Sequence, residues 1–168
     1  MFRTDLPLTD LEEPLTSVLA YWRERGGETL SCAWSAFHLH ELPPKALPTT
    51  MVLDMFDDMS RNRYRYWGSQ MTDIHGGDMT GKSPYDLTPK DFAEDLRSQH
   101  MRIRAEGRAG AQVVGFRHER GFDHMHTVLR LPLSNDGRKV DHLVMVAWFT
   151  PKALQIARLE GGRAIMER

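Results

Sequence analysis

Arg63-Tyr64-Arg65-Tyr66-Trp67-Gly68 is followed, past Ser69–His75, by Gly76-Gly77-Asp78-Met79-Thr80-Gly81-Lys82-Ser83. The first string alternates arginine with aromatic residues. That period of two belongs to a strand with one wet face and one buried face. The second has turn chemistry and no sustained period, as a short helical crossover would. Upstream, Met51–Asp57 is short and apolar, and the polar turn Ser60-Arg61-Asn62 joins it to the aromatic strand as a hairpin. Downstream, Thr88-Pro89 opens a long helix with threonine as cap and proline in the first turn. Phe92, Leu96, His100 and Ile103 share one face of it, and Gly107 ends it. Three strand-like runs follow: Ala111–His118, Met125–Leu133 and Val140–Phe149. Ser134-Asn135-Asp136-Gly137 is a hairpin signal between the last two.

Working outward, Leu11, Leu15, Val18, Leu19 and Trp22 form the apolar stripe of an amphipathic helix. Thr9 and Glu12 read as a capping box, Pro14 moves the start towards Glu13, and Gly26-Gly27 ends the helix. The Pro-punctuated stretch Glu41–Pro48 reads as a connector. The expected organisation is a helix and connector over 1–48, a core over 49–150, and a tail over 151–168 with a short helix from Lys152 to Leu159.

Two strands, a glycine-bearing helical crossover, one connecting helix and three meandering strands is the PAS order. Phe56–Gly68 followed by Gly77-Asp78-Met79-Thr80-Gly81-Lys82 resembles the compact stand-alone PAS-type proteins of alphaproteobacteria. The Leu19-Ala20-Tyr21-Trp22 helix and the Pro-rich connector are similar to theirs. The resemblance spans roughly residues 18–150. It implies an α+β PAS fold, a five-stranded antiparallel sheet with helical crossover and N-terminal amphipathic helix, and a bacterial sensory or adaptor role in signal transduction. Only the 151–168 tail follows the last strand, so the expected output is dimerisation or contact with a separate signalling protein.

Composition sets the outer limits. With 168 residues, 40% of them hydrophobic, the chain can build a core without staples. A formal net charge of −1 argues against general attraction to nucleic acid or acidic membrane. No apolar run approaches the ~20 residues of a membrane helix, and a single cysteine fits the cytoplasm. The Arg97, Arg102, Arg104 and Arg108 cluster is interleaved with acids and reads as a solvated helix face.

No nucleophile elbow, P-loop or zinc-protease motif is present, which favours a non-enzyme. Cys32 reads as a small hydrophobe, and a flavin–cysteine adduct is disfavoured because no cysteine lies between residues 70 and 110. His38-Leu39-His40 and His124-Met125-His126 have the spacing of one strand face but read as polar side chains turned to water at a hairpin mouth rather than a metal site. His100 sits on an apolar helix face. A core histidine bonded to a carbonyl or a facing side chain is the favoured reading, with haem ligation as the weaker one. If a pocket lies between sheet and helix, Tyr66, Trp67, His100, Phe116, Arg117 and Trp148 are its candidates. Leu11, Leu15, Val18, Leu19 and Trp22 are the candidates for a homodimer helix. Two other readings stay open: a small cavity enzyme using His100 or Arg117, and a ligand-free interaction module.

Overall fold

The computed structural model describes residues 2–88, 90–117 and 123–149, except for the side chains of residues 2, 116, 117 and 123–125. The C-terminal helix expected from Lys152 to Leu159 lies outside the described residues, as does Pro89. The elements are β1 (Phe2–Leu6), α1 (Leu15–Glu24), β2 (Thr50–Asp54), β3 (Arg63–Trp67), α2 (Ser69–His75), α3 (Lys90–Glu106), β4 (Gly110–Arg117), β5 (Asp123–Leu133) and β6 (His142–Trp148). They form one antiparallel sheet in the order β1-β4-β5-β6-β2-β3. The two hairpins fall where the sequence places them, while the crossover helix α2 lies before the glycine string rather than on it. The sheet has six strands rather than five, because β1 pairs with β4 from Phe2↔Gly115 to Leu6↔Ala111.

Strand alternation splits the core into two layers. On one face, Met51, Leu53, Val114, Val128, Leu143 and Met145 pack against Met71 of α2 and Phe92, Leu96 and Ile103 of α3. On the other, Val52, Leu129, Leu131, Val144 and Val146 pack against Leu15, Val18, Leu19 and Trp22 of α1. A strand covered on both faces is apolar at nearly every position. That accounts for the run Val128-Leu129 through Leu131-Pro132-Leu133, which one residue, Arg130, interrupts.

The N-terminal 48 residues are part of this body. α1 begins after Pro14, where the Glu13 carboxylate accepts from the hydroxyls of Thr16 and, at 2.6 Å, Ser17. The expected Thr9/Glu12 capping box is not formed: Thr9 donates to Asp10 in a short turn over Leu8–Asp10, and Leu11 precedes the helix. Trp22 is fully buried and its Nε1 donates to the Pro132 carbonyl of β5 at 2.9 Å. A Cβ on Gly27 would lie 2.1 Å from that indole, so packing requires glycine there. The segment after α1, through the connector, is a chain of short turns that buries Cys32, Phe37, Leu42 and Ala46 in the same cluster as α1.

β3 departs from simple alternation. Val52 pairs with Tyr66 but Leu53 pairs with Tyr64, so Arg65 is an extra residue, a β-bulge. The bulge turns Tyr64 and Trp67 to the α3 face and leaves Tyr66 on the α1 face. The Gly77–Lys82 string then covers the open edge of β3. Gly81 N donates to the Tyr64 carbonyl at 2.7 Å and Tyr64 N to the Lys82 carbonyl at 3.0 Å. Asp78 holds the turn by accepting from the Thr80 amide at 2.8 Å and its hydroxyl at 2.7 Å. Met79 anchors the turn in the core, and Gly81 takes the left-handed φ of 78°. A sheet edge that would otherwise be open is thereby paired.

Candidate functional site

Between the sheet and the α2–α3 layer lies a narrow cavity of about 30 Å³. It is bounded by Met51 of β2, Tyr64 and Trp67 of β3, Met71 and His75 of α2, Phe92 and Leu96 of α3, and His126, Val128 and Arg130 of β5. Most of this wall is apolar. His126 and Arg130 reach it because the even-numbered residues of β5 face α3 while Leu129 and Leu131 face α1.

Arg130 is 3% exposed. Its Nη1 donates to Gln112 Oε1 at 2.9 Å and its Nε has no hydrogen-bond partner. Trp67 Nε1, on the same cavity, is likewise unpartnered. Gln112 passes its other side-chain bond outward, from Nε2 to Asp5 Oδ1 at 2.6 Å. Around it Arg102 pairs with Asp5 at 3.3 Å and Arg3 pairs with Asp95. This cluster therefore sets three guanidinium groups against two carboxylates, and the cation left over is the buried one. Burial, the largest cause, pulls Arg130 down to about 10, with Asp95 opposing and Arg3 and Arg102 adding to the fall. It remains charged at neutral pH.

His100 is fully buried on the sheet-facing side of α3, as its helical phase predicts. Neither ring nitrogen has a hydrogen-bond partner, which differs from the core histidine bonded to a carbonyl or facing side chain that the sequence favours. Burial, then the nearby Arg130 charge, pushes it down to about 3 and keeps it neutral. Its ring lies 6.1 Å from that of Tyr85, and it does not line the cavity.

Of the other pocket candidates, Trp67 lines the cavity. Tyr66 and Trp148 lie on the α1 face instead: the Arg65 bulge turns Tyr66, and the alternation of β6 turns Trp148. The side chains of Phe116 and Arg117 lie outside the described residues, so of the enzyme reading's alternatives, His100 or Arg117, only His100 is described, and it does not line the cavity. In the proposed dimer stripe, Leu11, Leu15, Val18, Leu19 and Trp22 are all packed against their own sheet. The two His-x-His pairs separate. His38 and His40 stack at 5.6 Å on an exposed turn, whereas His126 is buried on the cavity wall. No group of metal-ligating residues occurs among the described residues.

Arg130, Gln112 and His126 were missed as site residues. The signal for Arg130 was present: a charge in the middle of a strand whose neighbours on both faces are apolar.

Cofactor readings meet a limit of space and side. Pockets that take drug-sized molecules have roughly 300–1,000 Å³, so the cavity as shaped holds neither a haem on His100 nor a flavin ring. Cys32 is buried on the α1 face, across the sheet from the cavity, and burial pushes its thiol up to about 11. A second, open groove near the β2–β6 end is lined by Asp54, Asp57, Asp141 and His142. Its charges pair internally: Asp54 with Arg65 at 2.7 Å, Asp57 with Arg104 and Lys139, and Asp141 with His142 at 2.5 Å.

The chain is similar to an RNA-binding light-oxygen-voltage receptor, with a TM-score of 0.53, 14% identity, and 97% of this chain and 44% of that one covered. It is similar to VqmA bound to DPO, with a TM-score of 0.53, 15% identity, and 67% and 57% covered. It is also similar to the Vibrio cholerae VqmA dimer, with a TM-score of 0.53, 14% identity, and 72% and 57% covered. Light-oxygen-voltage domains are a branch of the PAS family, and the antiparallel α+β architecture matches theirs. The fold is of the PAS type. The chain spans about half the length of these solved structures. No family model and no curated protein matches it. No described helix of this PAS-type chain is long and apolar enough to cross a membrane.

Proposed function

We propose that this chain is a PAS-type sensory module, not an enzyme, that holds a small molecule between α3 and the sheet and signals through altered association. The observation that carries the reading is that two residues lining the cavity, Trp67 and Arg130, each bury a donor, Nε1 and Nε, that has no partner among the described residues. A core built only for stability leaves few such groups unpaired. Three flexible methionines, Met51, Met71 and Met145, line the same space and can rearrange around a guest.

The architecture offers a route outward. α3 is tied to β1 by Arg3–Asp95 and Arg102–Asp5, so a ligand that shifts α3 strains the edge strand. Coupling of this kind is typically worth about 1–3 kcal/mol, a roughly 5–150-fold change in affinity for a partner. The partner is a second copy or a separate signalling protein in the bacterial cytoplasm. VqmA, one of the structural neighbours, is described both with DPO bound and as a dimer. A second copy would meet surfaces other than the apolar stripe of α1, which is already covered.

Hydrogen exchange tests the reading. The protein is incubated with a low-molecular-mass extract of the producing cells. Slowed exchange in α3 and β5 is expected, with a change in oligomeric state or partner affinity. Unchanged exchange throughout the α2–α3 layer would leave the chain a ligand-free interaction module.

A further inference from the structure

We infer that the cavity takes a short carboxylic acid, with its carboxylate paired to Arg130 and its carbon chain lying among the methionines and Phe92. This rests on the sensory reading and specifies its ligand.

A guanidinium with 3% exposure and one neutral amide partner is an unusual thing to bury. Arginines in protein interiors are held by carboxylates in a two-point fork. The two carboxylates of the surrounding cluster are already engaged, Asp95 by Arg3, and Asp5 by Arg102 and the Gln112 amide. Arg130 therefore keeps a buried donor, Nε, with no partner among the described residues, and its side chain lines the cavity. The missing partner is one negative charge with planar, two-oxygen geometry. Among the described residues no Asp or Glu lines the cavity to supply it or to repel it.

Size and polarity narrow the class. A space of about 30 Å³ holds one or two waters as shaped, so the guest is small even after the methionines move. Beyond Arg130 the wall carries two imidazoles, His75 and His126, and is otherwise mostly apolar, with Met51, Met71, Phe92, Leu96 and Met145, which favours an alkyl tail. Trp67 Nε1 adds a second donor to the same wall. His100 is neutral behind Arg130 and adds no competing cation.

The test is calorimetric titration of the protein, in a buffer free of carboxylates, with formate, acetate, propionate and butyrate, each against its neutral amide at matched ionic strength. Binding of acetate or propionate at least about tenfold tighter than of its amide is expected, as for a charge-assisted bond in a dry site. Arg130→Met should abolish that preference, and Arg130→Lys, which keeps the charge without the fork, should recover only part of it. If Arg130→Met fails to fold, the acid–amide comparison on the unaltered protein and on Arg130→Lys still decides. Equal binding of acid and amide, unaltered acid binding by Arg130→Met, or no binding of any acid would each overturn the assignment. Those results leave the broader sensory reading to the exchange experiment, where protection by cell extract without carboxylate binding would mean a ligand of another class.

Discussion

Replacing Arg130 with methionine should stabilise the ligand-free protein. Burying an ion costs several kcal/mol even after relaxation. Here the return is one hydrogen bond from Nη1 to Gln112 Oε1, worth roughly 1.5–3 kcal/mol for a charged donor, and a share of the Asp95 field already spent on Arg3. Methionine reproduces the arginine stem as far as Nε and keeps an apolar side chain beside Met51 and Met145. It would strip one donor from Gln112 Oε1, at a cost of about 1–2 kcal/mol. The Gln99 amide, with its oxygen towards Arg3, sits 3.2 Å from that oxygen and takes over part of the bond. The balance is a gain of about 1–3 kcal/mol. In a chain of this size that is a rise in Tm of roughly 2–12 °C. Urea unfolding followed by circular dichroism, in a buffer without carboxylates, measures it. A ligand at a hundredfold its Kd should restore about 2.7 kcal/mol to the wild type and nothing to the variant. A loss of more than about 1 kcal/mol in ligand-free Arg130→Met would refute the reasoning, because Arg130 would then be a satisfied structural ion.

Gly68→Ala should unfold the protein or cost more than ~3 kcal/mol in a denaturant melt, since a Cβ there would lie 2.3 Å from the Pro48 carbonyl oxygen, a backbone atom. Trp22→Phe should lower stability by about 1–3 kcal/mol, through the lost bond to the Pro132 carbonyl and the space left by the smaller ring; a melt unchanged within error would contradict the packing described. His100 is neutral when folded down to about pH 3 and titrates near 6.5 when unfolded, so below pH 6.5 the unfolded state binds the extra proton. Stability should therefore fall as pH drops from about 6.5 towards 3, with a slope of at most about 1.4 kcal/mol per unit from this group, and His100→Leu should flatten the profile. Asp78→Ala should cost about 1 kcal/mol and speed hydrogen exchange at the Tyr64 amide, because the turn covering β3 loses its side-chain cap.

The hairpins, the crossover and the α3 face were legible because each rests on local chemistry: Ser134–Gly137 as a turn, Gly107 as a stop, and Phe92, Leu96, His100 and Ile103 at helical spacing. β1 was not, because five residues with two charges carry no period, and only β4 makes them a strand. The connector hid for the opposite reason: its prolines forbid regular elements, yet its side chains still cover the sheet. The placement of Tyr66 turned on one residue, Arg65, whose bulge decides which aromatic faces α3. Tyr66 and Trp67 could not be separated without that register. Arg130 was readable as an anomaly but not as a site, because its isolation depends on Arg3 and Arg102 occupying the acids around it.

The most direct test of the central claim is a crystal structure of the protein grown with propionate. The account predicts a carboxylate between β5 and α3, its oxygens within hydrogen-bonding distance of Arg130 Nε and its alkyl chain against Met51, Met71 and Phe92. A cavity closed on apolar contacts, or holding water alone with Arg130 turned out to a protein carboxylate, would contradict it.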